Sequence, residues 1–98
     1  MFYPAQPSGN KLMAHLVRLY SKEGCCLCSE AKDLLLKLSR RYGLEVQEVY
    51  ITSDEALFEK YKYLIPVIEI GGEVGLAGRI EEESLREALA ARLGVGSD

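Results

Sequence analysis

Apolar and polar residues alternate through "HLVRLY", residues 15 to 20, a segment rich in strand formers, and the alternation stops at "SKEG". A first strand is predicted there. From Cys28 the period changes. Ala31, Leu34, Leu35, Leu38 and Tyr42 recur at helical spacing, and Arg40 and Arg41 precede Gly43, a basic last turn followed by a terminating glycine. This helix begins at the cysteines. "LEVQEVYI", residues 44 to 51, alternates imperfectly, as a strand with both faces partly covered does. Thr52 and Glu55 have the spacing of a capping box, so a short helix is expected to follow, with Leu57, Phe58 and Tyr61 on its apolar side. In "IPVIEIGGEVGLAG" two apolar runs flank Gly71-Gly72, which predicts antiparallel strands over residues 67 to 70 and 73 to 77 joined by a tight hairpin. Gly75, inside the second run, marks a bulge or a close backbone approach. Ile80, Leu85, Ala88, Leu89 and Leu93 mark a last helix that ends near Gly94.

The order is β-α-β-α-β-β-α: a parallel start, an antiparallel finish, and helices for both faces of a mixed four-stranded sheet. Residues 1 to 13, with Pro4, Pro7, Ser8, Gly9 and Asn10, read as an irregular leader; residues 14 to 94 read as the domain and 95 to 98 as a tail. A length of 98 residues with 48% hydrophobic side chains suits one core and not two. The formal net charge is -3, and Lys and Arg are scattered, so nucleic acid is not an expected partner. No apolar run approaches the roughly 20 residues of a membrane-spanning helix, and "MFYPAQPSGNKLMAH" lacks the apolar stretch of a secretory signal. A cytoplasmic, monomeric protein with no membrane partner is expected.

Cys25, Cys26 and Cys28 are the three cysteines of the chain. They are too close in sequence to close a useful loop, so they do not form a disulfide scaffold. Cys25 falls where a strand ends and a helix begins. There the unpaired amides of the first turn and the helix dipole favour a thiolate. Cysteines in such settings have pKa values of roughly 3.5 to 7.5, against about 8.5 for a free thiol. Lys22, three residues earlier, adds a favourable positive charge or is an ordinary solvated lysine. Cys28 lies one turn beyond Cys25, close enough for a disulfide, and Cys26 is rotated away from both. On this reading Cys25 attacks a disulfide, a mixed disulfide forms, and Cys28 resolves it.

"LYSKEGCCLC", then "IPV" some forty residues later, then "GG" and a terminal helix, resembles the glutaredoxins of the thioredoxin fold, in particular the small glutaredoxin-like proteins with a CxLC centre. The resemblance runs from residue 15 to residue 93. Its specific parts are the Lys-x-x-Cys-x-x-Cys arrangement and the proline before the third strand. It implies a thioredoxin-like fold and a cis proline facing the nucleophilic sulfur. It also implies that the residue before that proline offers backbone groups to a substrate, roles that fall on Pro66 and Ile65. An X-Pro bond is the one place where a cis peptide is cheap. The sequence departs from the family in two places. Cys26 and Leu27 stand where many glutaredoxins have proline and an aromatic. "AGRIEEESL" brings Gly78, Arg79 and Glu81 where many have paired glycines and two aspartates that hold glutathione. Glutathione is thus a candidate reductant that these departures count against, and no tightly bound cofactor is expected.

The expected activity is that of a dithiol oxidoreductase acting on protein or low-molecular-weight disulfides, with glutathione or a thioredoxin reductase as electron donor. The alternative is a non-catalytic module of the same fold that binds a metal or an iron-sulfur cluster, or docks a protein partner. Three thiolates with the single histidine, His15, would make four zinc ligands, but His15 opens the first strand, at the far end from Cys25. Copper(I) or a cluster shared between chains needs fewer ligands from each. His15 is expected on the surface, Cys26 as an exposed bystander, Tyr61 and Tyr63 as half-buried packing, and "EEESLRE" as a solvated helix face that needs no partner.

Overall fold

The computed structural model describes residues 15–94. The expected leader and tail lie outside them. The elements are β1 (His15–Ser21), α1 (Cys26–Tyr42), β2 (Leu44–Tyr50), α2 (Glu55–Tyr61), β3 (Val67–Ile70), β4 (Glu73–Ala77) and α3 (Glu82–Leu93). A 3-10 turn over Ile51–Ser53 separates β2 from α2. The sheet order is β2-β1-β3-β4, with β1 parallel to β2 and antiparallel to β3, and β3 antiparallel to β4. The expected order and mixed sheet are therefore present.

Burial follows the strand alternation. Val17, Leu19, Ile68 and Ile70 face α1 and α3, where they meet Ala31, Leu35, Leu38, Leu85 and Leu89 in the larger core. Tyr20 and Val67 face the other way, onto α2, where Ile51 and Tyr61 complete a smaller core backed by Leu57, Phe58 and Ile65. Two helices thus cover one face and one helix covers part of the other. Each Leu buried in this way contributes about 1.5–3 kcal/mol by its removal from water.

The hairpin turns at Gly71 and Gly72, both at positive φ (64° and 86°). In the β3–β4 register Ile68 pairs with Leu76 and Glu69 with Val74, so Gly75 is the extra residue of a bulge, as its place in the strand implied. It is also a close approach, since a Cβ at Gly75 would sit 3.1 Å from Ile70 Cδ1.

Four expectations need correction. The cap of α2 is Asp54, not Thr52: the Asp54 side chain accepts the Leu57 amide at 3.1 Å, and Thr52 lies in the 3-10 turn before it. A carboxylate directly at the helix start captures the orphan amide that the Thr52–Glu55 spacing would otherwise have served. Ile80 is not within α3 but precedes its cap, Glu81; it takes the outer position of a hydrophobic staple with Leu85, and both lie in the larger core. Tyr61 is buried, whereas Tyr63 is 88% exposed, because α2 ends at Tyr61 and the chain turns outward beyond it. The acidic start of α3 is not purely solvated: Glu82 reaches across to Lys37 of α1 at 2.9 Å.

Candidate active site

The parallel β1–β2 pair and the antiparallel β1–β3 pair bring three segments to one end of the sheet. β1 and β2 end there at Ser21 and Tyr50, and β3 begins there at Val67, the register partner of Tyr20. Residues 22–25, the 3-10 turn and the segment before β3 therefore meet at this end. Thr52 Oγ1 donates to Glu23 Oε1 at 3.2 Å and ties the first two together.

Cys25 is the cap of α1. Its backbone is extended, and its sulfur accepts the Cys28 amide at 3.2 Å. The Cys25 carbonyl accepts from Ser29 at 3.1 Å, the first bond of the helix. A serine or aspartate usually fills such a position, and a sulfur there meets the same unpaired amides. Cys28 is joined to Cys25 as a disulfide, with Cα atoms 5.2 Å apart. Cys25 is half-buried, Cys28 is only 2% exposed, and Cys26 is free and exposed. Cys25, at the helix mouth, is thus the more exposed residue of the pair and Cys28 the covered one. Among the described residues, no group of three or more His, Cys, Asp or Glu side chains is arranged to hold a metal ion. His15 opens β1, so the length of the strand, roughly 20 Å at about 3.3 Å per residue, separates it from Cys25.

The Ile65–Pro66 peptide bond is cis. Pro66 is buried directly before β3, at the cysteine end of the sheet. The Gly78 amide donates to the carbonyls of Pro66 at 2.9 Å and Leu64 at 3.1 Å, and the Ile65 amide donates to Tyr61 at 3.1 Å. The Ile65 amide is thus paired within the chain. Lys22 is exposed on the loop that leads to Cys25. The structure thus brings Lys22, Cys25, Cys28, Ile65 and Pro66 to one end of the molecule.

Reasoning from sequence passed over two residues behind this end. Ser21 closes β1 with no exposure, and its hydroxyl donates to Glu48 Oε2 at 2.8 Å. Glu48 in turn pairs with Lys32 of α1 at 3.0 Å. A serine in step with Val17 and Leu19 on the inward side of β1 was the signal that could have found them.

The model of the glutaredoxin-like domain family (DUF836) matches residues 16–90. The chain belongs to this family. A glutaredoxin-like protein of Dictyostelium discoideum is 25% identical over 75 residues, which cover 70% of this chain and 69% of that protein. Among solved structures, a structural-genomics target protein from X. campestris is 29% identical with a TM-score of 0.67, covering 76% of this chain and 96% of that one. A glutaredoxin from Archaeoglobus fulgidus shares the fold at 20% identity and a TM-score of 0.59, covering 88% of this chain and 98% of its own. A Cys-x-x-Cys pair at the start of the first helix is therefore set in a glutaredoxin-like thioredoxin fold, an arrangement that suggests redox chemistry.

Proposed function

We propose that this glutaredoxin-like chain is a thiol-disulfide oxidoreductase that reduces disulfides of proteins or small molecules, with Cys25 as nucleophile and Cys28 as resolving thiol. One observation carries the reading: the half-exposed Cys25 sulfur accepts an amide hydrogen bond at the mouth of α1, and its disulfide partner is the covered Cys28 one turn on. When the pair is reduced, the amide and the helix dipole stabilise a thiolate on Cys25. That thiolate attacks a substrate disulfide and expels one substrate sulfur as a thiolate. Cys28 then attacks Cys25, expels the second, and regenerates the disulfide. Lys22 adds positive charge beside the reacting sulfurs, and Pro66 with the Ile65 carbonyl offers the edge along which a substrate strand lies. The electron donor is glutathione or a thioredoxin reductase, and no tightly bound cofactor is required.

The test is disulfide reductase turnover with each donor. Cys25→Ser is expected to abolish it. Cys28→Ser is expected to retain a monothiol reaction and to accumulate mixed disulfides visible by mass spectrometry. Reductase activity left intact in Cys25→Ser would overturn the proposal.

A further inference from the structure

Tyr63 and Leu64 are neighbours in the segment that links α2 to the cis Ile65–Pro66 bond, and they are 88% and 49% exposed. The other exposed large apolar residues among those described, Leu16, Leu36, Tyr50 and Val74, stand on four different elements. Scattered exposure of that kind needs no explanation, whereas two adjacent apolar side chains at the reactive end of the sheet do. The segment is not free to fold them inward. The Leu64 amide donates to the Tyr61 carbonyl at 2.8 Å, the Ile65 amide donates to the same carbonyl at 3.1 Å, and the Leu64 carbonyl accepts the Gly78 amide at 3.1 Å. The Tyr63 ring is held as well. Lys62 Nζ lies 5.4 Å from its centroid and 5.7 Å from that of Phe58, and the same ammonium is tied to Glu59 at 2.9 Å. A cation at that range over a ring face is attracted to it. Two apolar side chains are thus kept in contact with water by a fixed backbone, directly before the proline that opens β3.

We propose that the side chains of Tyr63 and Leu64 form a substrate contact that selects disulfides of polypeptides carrying an apolar side chain beside the reacting cysteine. The inference rests on the dithiol reading above and narrows its substrate class. A polypeptide lying along the Ile65–Pro66 edge passes the two residues before that edge, so an apolar side chain next to its cysteine covers the Tyr63 ring and Leu64. Covering them removes apolar surface from water on both partners. Tyrosine offers a large contact area with few rotatable bonds, and Lys62 sets the ring in advance, so little ordering cost is left for binding. Lys62 is itself matched by Glu59, which makes it a support for the ring and leaves the selected feature apolar, not acidic. A small disulfide has no such side chain and gains nothing from the pair. The exchange is the same for both classes: Cys25 displaces one substrate sulfur as a thiolate and Cys28 displaces the second. The dithiol loses two electrons and the substrate disulfide gains them.

The experiment uses the full chain, reduced, with Cys26→Ser to remove the free thiol. Two peptides of equal length and charge each carry one cysteine joined to the chromogenic thiol nitrothiobenzoate, with leucine on both sides of the cysteine in one and serine in the other. The rate of colour release with each peptide is divided by the rate with dithiothreitol, which removes the peptide's own reactivity. The leucine peptide is expected to be favoured by about fivefold or more. Tyr63→Ser and Leu64→Ser should each bring that ratio toward one, and Tyr63→Phe should keep it, since the ring and not the hydroxyl makes the contact. Equal rates for the two peptides, or a preference that survives Tyr63→Ser, would overturn the contact and leave the dithiol reading intact. Colour release that persists undiminished in Cys25→Ser would sink the reading and the contact together. Tyr63 is the more exposed of the two, so Tyr63→Ser decides the matter alone if Leu64→Ser fails to fold.

Discussion

The Gly78 amide donates to the Pro66 carbonyl at 2.9 Å and to the Leu64 carbonyl at 3.1 Å, so the residue after β4 clasps the chain on both sides of the cis Ile65–Pro66 bond. Gly78 does this at φ +82, where a side chain is strained although nothing lies within 4 Å of an added Cβ. The cost is therefore conformational, about 1–2 kcal/mol. Gly78→Ala is expected to lower the unfolding free energy by about that amount in a urea titration, and Gly78→Asn by less. Equal midpoints for Gly78→Ala and the parent would show that the backbone there relaxes freely.

The cap of α2 gives a second contrast. Asp54 accepts the Leu57 amide, whereas Thr52 bonds to Glu23 across the surface. Asp54→Ala should cost about 1 kcal/mol. Thr52→Ala should stay within about 0.5 kcal/mol, as exposed substitutions usually do. The reverse ranking in thermal unfolding would restore the capping box read from Thr52 and Glu55.

These two positions show what was legible in the sequence. α1 could be read because one repeating property, the burial of Ala31, Leu35 and Leu38 against the sheet, sets its whole length and Gly43 ends it. The Gly71-Gly72 hairpin and the Gly75 bulge were legible for the same reason: a local backbone demand selects the residue. Asp54 was missed because two overlapping spacings offered a cap and only hydrogen-bond geometry chooses between them. At the site, Cys25 and Cys28 declare themselves by spacing. The Ser21–Glu48–Lys32 contacts join three elements through register, and no periodicity in any one element encodes them. Tyr63 was misplaced for a related reason, since the end of α2 decides its exposure.

The core seam can be tested by neighbours in sequence. Leu35 has no exposure and faces the sheet, while Leu36 is 48% exposed on the opposite side of α1. Leu35→Ala should destabilise by about 2–5 kcal/mol, from lost burial and the cavity left behind. Leu36→Ala should fall within about 0.5 kcal/mol of the parent. A comparable loss at both positions would mean that the outer side of α1 is covered in solution.

The pairing of α1 with α3 gives a pH prediction whose sign is fixed. Lys37 Nζ lies 2.9 Å from Glu82 Oε1, and Arg86 lies 3.7 Å from the other oxygen. The Lys37 hydrogen bond, followed by the charges of Lys37, Arg86 and Arg41, holds the Glu82 carboxyl below its ordinary pKa against partial desolvation. A carboxyl whose pKa is lowered by folding binds fewer protons in the folded state, so its contribution is present above the unfolded value, about 4.3. That contribution is lost as pH falls through the lower folded value. Glu82→Gln is therefore expected to lower the urea midpoint slightly at pH 7, with the gap from the parent closing below about pH 4. Lys37→Met should show the same convergence. About 1 M salt, where the screening length is about 3 Å, should shrink the gap at neutral pH. A gap of constant size from neutral to acid pH would show that Glu82 acts by packing, and that the two helices are not joined by charge.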